Sequence, residues 1–175
     1  MKRIEVPVAL EKINAIRAGD QVEICGRVLC GRDAVLPKIA AALRRKDTWV
    51  DSLDLEGAVI FHTAVSPAGI GPTTSNKAEI EESMPELAKA GVRIHLGKGM
   101  LSQGTYDSLA QYRSVFAVTP PVSALFSHRT LSKKVIAFEE QGMEALFAIE
   151  VNGLPAIVAA AHGDTIFQRH PGTRG

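Results

Sequence analysis

The sequence predicts a single α/β domain built on a mixed, at least partly parallel sheet, and three observations carry that expectation. Short apolar runs of β character alternate along the 175 residues with stretches of helical periodicity. Glycine- and proline-rich turns separate them. The length suits one compact core and is too short for two comfortable ones. Residues 1–167 are read as that domain, and 168–175, which lack an apolar pattern, as a disordered tail.

Taken in order, Arg17 to Asp20 is a turn, and Val22, Ile24, Val28 and Leu29 are strand positions around a break at Gly26. From Asp33 the period becomes helical, with Val35, Leu36, Ile39, Ala40 and Leu43 on one stripe. Pro37 is tolerated there because it falls in the first turn. Asp47 to Gly57 is a polar connection carrying the only tryptophan, Trp49. Ala58 to Phe61 is a continuous apolar run, as in a buried strand. His62 to Ser75 reads as a loop, and Asn76 with Glu79 has the spacing of a capping pair that opens a helix to about Lys89. Val92 to Leu96 is a strand ending at Gly97-Lys98-Gly99. A helix is expected over Tyr106 to Tyr112, a strand over Val115 to Val118 and a short helix over Val122 to His128. A strand at Val135 to Phe138, a helix over Gly142 to Glu150, a strand from Pro155 to Ala160 and a last one at Thr165 to Phe167 complete the reading.

A formal charge of +1 removes the usual electrostatic argument for a nucleic-acid or membrane-surface partner. No apolar run reaches the roughly 18 residues that span a bilayer, and Glu5, Glu11 and Lys12 interrupt any leader-like start, so a cytoplasmic location is expected. The two cysteines, Cys25 and Cys30, exclude a disulfide framework and are too few to hold an iron-sulfur cluster alone. Small buried hydrophobes are the expected role for them. The five histidines show no metal-ligand spacing. His95 is read as packing and His162 as structural or surface.

Ligands of open α/β sheets bind beyond the carboxyl ends of the strands. Three unusual segments fall there: Gly31-Arg32-Asp33, Pro67 to Ser75, and Gly97-Lys98-Gly99. In Gly71-Pro72-Thr73-Thr74-Ser75 the hydroxyls stand beside the start of a helix, where an anion is stabilised. The required Gly-Lys-Ser/Thr ending of a phosphate loop is absent. Arg32 suits a carboxylate through its bidentate fork, or pairs with Asp33 or another acid. Lys98, between two glycines, presents a point charge, to a ligand or to solvent. Lys77, in the first turn of a helix, is easier to understand if an anion binds nearby.

In their order and spacing, Ala18-Gly19-Asp20-Gln21-Val22, Gly31-Arg32-Asp33-Ala34, Leu55-Glu56-Gly57-Ala58-Val59-Ile60, Gly71-Pro72-Thr73-Thr74-Ser75, Gly97-Lys98-Gly99 and Gly142-Met143-Glu144-Ala145 resemble a known family. It is that of the β subunit, or C-terminal domain, of the iron-sulfur-dependent class I fumarate hydratases and the related L-tartrate dehydratases. The resemblance runs over most of the chain. It implies a swivelling β/β/α domain, a mixed sheet with flanking helices. It also implies reversible addition of water across a dicarboxylate double bond, fumarate to malate being the favoured pair. The 4Fe-4S cluster is implied on a partner α subunit, where one iron acts as Lewis acid, with none bound by this chain alone. Thr73 is implied in proton transfer, with Arg32, Thr74, Lys77 and Lys98 binding substrate. An L-tartrate dehydratase β subunit and a non-catalytic anion-binding assembly domain are the alternatives, and a homodimer is a second assembly to consider.

The chain departs from the family pattern at three places. Leu36 stands where the family usually has a histidine, and Lys77 where it usually has an arginine, which keeps a cation but loses the bidentate fork. A glycine- and alanine-rich segment of the family is replaced by Thr119-Pro120-Pro121-Val122-Ser123-Ala124.

Overall fold

A computed structural model describes residues 1–66, 69–71, 77–120 and 129–167. In chain order the elements are β1 (Lys2–Glu5), α1 (Leu10–Ala15), β2 (Gln21–Gly31), α2 (Leu36–Arg44), β3 (Val59–His62), β4 (Ala64–Ser66) and β5 (Gly69–Gly71). There follow α3 (Lys77–Lys89), β6 (Ile94–Gly97), α4 (Gln103–Gln111), β7 (Val115–Val118), β8 (Thr130–Ala137), β9 (Leu146–Ala161) and β10 (Asp164–Thr165). Two 3-10 segments, Thr48–Leu53 and Glu139–Glu144, join α2 to β3 and β8 to β9.

Eight of these strands form one mixed sheet, and β4 and β5 form a separate two-stranded ribbon. β2, β3, β6 and β7 run parallel in that order. The 16-residue β9 then returns antiparallel to both β7 and β2, so the pairing closes into a ring. Closure of this kind removes exposed edges from the paired strands. The alternation along each strand follows from it. Val59 and Phe61 of β3, Ile94 and Leu96 of β6, and Val28 and Cys30 of β2 fall in one inner cluster. That cluster also takes Ile13 of α1 and the flanking Val8 and Ile16. The opposite faces, through Leu29, Ile60 and Phe116, pack under the helices. α2 brings Leu36 and Ile39, α3 brings Met84 and Leu87, and α4 brings Leu109. The expected mixed α/β architecture with flanking helices is therefore what the chain adopts.

One element differs in kind from the sequence reading. Gly142 to Glu150, expected as a helix, is a 3-10 turn to Glu144 followed by the start of β9. Leu146, Ile149 and Val151 are buried, and this part of β9 is flanked by β2 on one side and β8 on the other. Hydrogen bonding on both edges outweighs any local helical preference. The apparent loop after His62 contains the β4–β5 ribbon. The capping residue Asn76, the expected helix Val122 to His128 and the tail 168–175 lie outside the described residues.

Candidate active site

Two of the groups that sequence reasoning singled out, Arg32 and Lys98, follow the carboxyl ends of parallel strands. β2 ends at Gly31, directly before Arg32 and Asp33, and β6 ends at Gly97, directly before Lys98. β3 lies between them, with Gly31 opposite His62 and Phe61 opposite Leu96. Two strand spacings separate β2 from β6, about 10 Å. The long side chains of Arg32 and Lys98 can converge on one small anion across that gap.

Local sequence explains why the two turns sit close against the fold. A Cβ at Gly31 would lie 2.8 Å from Val35 Cγ2 and 3.2 Å from Leu146 Cδ1, so only glycine lets β2 pass under the start of α2. Gly99 has a φ of +73°, in the left-handed region that glycine adopts freely, and turns the chain away after Lys98. Lys98 itself is exposed. Arg32 is half-buried, and its Nη2 stands 3.2 Å from Glu144 Oε1, in the 3-10 turn before β9. The neighbouring acid that sequence reasoning allowed as its partner is therefore Glu144. This ion pair occupies one side of the guanidinium.

Lys77 is the first residue of α3, and only its backbone is described. Thr73 and Thr74 lie outside the described residues. Leu36, one of the three departures noted in the sequence, is 2 % exposed and packs in the α2 core cluster. That position serves packing in this chain.

Two histidines not chosen from sequence meet at the same end of the sheet. His62 closes β3 and His95 lies in β6, and their rings approach with Nε2 of His62 3.0 Å from Nδ1 of His95. Both are buried. Burial lowers the His62 pKa from the ordinary 6.5 to about 3. Burial, and then the neighbouring His62, hold His95 well below its ordinary value. His95 is thus a packed residue, as expected, with a polar partner that sequence reasoning missed. Asp33 Oδ1, His62 Nδ1, His95 Nε2 and Thr119 Oγ1 are buried without a hydrogen-bond partner among the described residues. They follow or occupy β2, β3, β6 and β7, one from each parallel strand. Arg93 Nε and Ser114 Oγ, at the amino ends of β6 and β7, share that state. Buried polar atoms left in this way are uncommon and concentrate at functional positions.

The cysteines do not fit an iron-sulfur cluster. Cys25 and Cys30 are both free and buried in β2, and burial pushes the Cys30 thiol far above its usual range, whereas a cluster ligand must be a thiolate. Cys25 Sγ accepts the Gly153 backbone N–H at 3.2 Å. His162 also has a structural role, its Nε2 lying 3.0 Å from the carbonyls of both Ile13 and Ile16 at the end of α1. Among the described residues no helix is long and apolar enough to cross a membrane.

A family model described as the fumarase C-terminus matches residues 1–170. Over 178 residues the chain is 26% identical to a putative fumarate hydratase class I of Geobacillus stearothermophilus, covering 94% of this chain and 33% of that protein. Over 180 residues it is 26% identical to the L(+)-tartrate dehydratase subunit beta of Escherichia coli (strain K12), covering 95% of this chain and 87% of that subunit. The aerobic fumarate hydratase class I of the same strain is 24% identical over 169 residues, 91% of this chain and 30% of that enzyme. The chain thus spans about a third of the length of these fumarate hydratases and most of the tartrate dehydratase subunit.

Proposed function

Because the chain belongs to the fumarase C-terminus family, we propose that it is the β subunit of a heteromeric hydro-lyase that adds water to, or removes it from, a four-carbon dicarboxylate. The observation that carries this reading is the position of Arg32 and Lys98 directly after the carboxyl ends of β2 and β6, the two strands that flank β3. Two cations about two strand spacings apart suit a ligand with two carboxylates better than one with a single charge. The subunit naming of the tartrate dehydratase relative supports a separate partner chain. The same naming supports a two-chain enzyme over a single-chain one.

In this reading Arg32, Lys77 and Lys98 hold the substrate carboxylates and Thr74 adds a hydroxyl contact. Thr73 moves the proton at the carbon next to the one that carries the hydroxyl. A threonine hydroxyl is a weak base by itself, so a charged neighbour, from this chain or the partner, activates it. Cys30, buried in the inner cluster, is poorly suited as a thiolate ligand, which supports a 4Fe-4S cluster held by other ligands. A partner α subunit is the proposed holder.

Fumarate and malate are the first-choice pair. The tartrate dehydratase relative, whose β subunit this chain nearly spans in length, makes tartrate the second. The test is to assemble the chain with its cluster-bearing partner under anaerobic conditions and follow both substrates. Interconversion of fumarate and malate establishes the first pair, and dehydration of tartrate alone establishes the second. Absence of turnover on every four-carbon dicarboxylate overturns the reading.

A further inference from the structure

The His62–His95 pair takes no part in the reaction just proposed, yet its position is unusual. Along β3, Val59 and Phe61 belong to the inner cluster, so His62 lies on the helix-facing side. Along β6, Ile94 and Leu96 are inner and His95 is outer. The two rings therefore share one face, on neighbouring parallel strands, with centroids 5.2 Å apart and planes tilted by 33°. Their relative exposures are 4% and 0%.

Such a place would be filled more cheaply by two apolar side chains. Burying imidazole nitrogens sacrifices hydration, and one shared hydrogen bond recovers only part of it. What the pair adds is direction. An N–H···N bond of 3.0 Å has a defined length and angle, where apolar packing permits sliding. The chemistry of the shared proton also fixes the tautomers together. If His62 Nε2 donates, His62 Nδ1 is a bare acceptor and His95 Nε2 carries hydrogen. If His95 Nδ1 donates, both outer atoms exchange roles. Either way the pair is one unit, joining the carboxyl end of β3 to β6, the strand that ends in the Lys98 turn.

We propose that His62 and His95 are a positioning pair that sets the end of β3 against the end of β6, and thereby the placement of Lys98 relative to the rest of the site. Neither ring touches substrate. The catalytic part of this inference rests on the hydro-lyase reading; the structural part does not.

The test uses amide and apolar replacements in the full chain. His62→Gln puts an amide near the Nε2 position, and His95→Asn puts one near Nδ1, so a hydrogen bond between them survives. His62→Leu and His95→Leu remove it. In the assembled enzyme each leucine variant is expected to lose about tenfold to hundredfold in kcat/KM, the scale of a misplacement of about 1 Å, with KM for the dicarboxylate raised because Lys98 is displaced. The Gln/Asn double variant recovers most of it. The two leucine changes together lose no more than either alone, because the bond is already broken. Folded leucine variants with unchanged kcat/KM, or losses that multiply, overturn the pairing.

Amide hydrogen exchange on the chain alone gives an arm that needs no turnover. The Gly97–Gly99 amides should exchange several-fold faster with His95→Leu than with His95→Asn, and equal rates refute the strut. Absence of turnover in the wild-type assembly alongside the expected exchange difference would sink the hydro-lyase reading and leave the pair standing. Should the leucine variants not fold, imidazole nitrogen shifts of the wild-type chain decide. Fixed complementary tautomers at His62 and His95 support the pair, and rapidly exchanging tautomers at both overturn it.

Discussion

Acidification is the perturbation whose effect the structure states most quantitatively. His62 is held neutral in the fold, its pKa lowered by burial from 6.5 to about 3. A group whose folded pKa is depressed contributes its full stability above the unfolded value. That contribution falls away as pH drops from about 6.5 toward about 3, because the unfolded chain takes up the proton first. At about pH 5 the unfolded histidine lies roughly 1.5 pH units below its pKa, which at 1.36 kcal/mol per unit corresponds to about 2 kcal/mol. His95 adds a loss of the same sign, since burial and then His62 lower it too. Set against the roughly 5–15 kcal/mol of a typical domain, this is a large fraction. Urea unfolding at about pH 7.5 and about pH 5 measures it, on the wild-type chain and on His62→Gln/His95→Asn, which has no imidazole at the site. The wild type should lose at least about 2 kcal/mol more than the double variant over that interval. Equal losses would show that the two rings are not held neutral, and the reasoning from burial would be wrong.

Three further outcomes are expected. Gly31→Ala should destabilise the chain by about 1–3 kcal/mol in urea unfolding, because a Cβ there would lie 2.8 Å from Val35 Cγ2, with Leu146 and Leu36 also close. Arg32→Lys should raise KM for the dicarboxylate by about tenfold or more in the assembled enzyme, since the planar fork is lost though the charge stays. Glu144→Gln should leave KM unchanged or lower it, because Glu144 competes with substrate for the Arg32 guanidinium; a rise in KM would instead make the ion pair a positioning contact. Its effect on stability should stay within about 1 kcal/mol, as both side chains are partly exposed.

The strands with strong local signals were legible in the chain. Ala58 to Phe61 and Val92 to Leu96 are apolar runs bounded by glycine or by a break in pattern, and both became buried parallel strands. β1 was not, because in Lys2–Glu5 only Ile4 is buried and one apolar residue makes no pattern. The first half of β9 was misread because one of its two neighbours, β2, comes from a distant part of the chain, with Cys30 opposite Phe147. Non-local pairing of this kind leaves little trace in a window of sequence. The site shows the same division. Arg32 and Lys98 were marked by the glycines beside them, and the structure places both at strand ends. Glu144 and the His62–His95 pair were invisible, since their partners are set by sheet register and not by spacing along the chain. One signal was available: a histidine inside an otherwise apolar buried strand calls for a partner, and His95 had none nearby in sequence.

The central claim is that this chain supplies half of a dicarboxylate hydro-lyase site, with Thr73 as its proton-transfer group. Single-turnover conversion of fumarate by the chain assembled with its cluster-bearing partner, compared between wild type and Thr73→Ala, tests it most directly. The account predicts malate from the wild-type assembly, and a loss of about 100-fold or more in rate for Thr73→Ala with the complex still intact. An intact Thr73→Ala complex that turns over at the wild-type rate would contradict it.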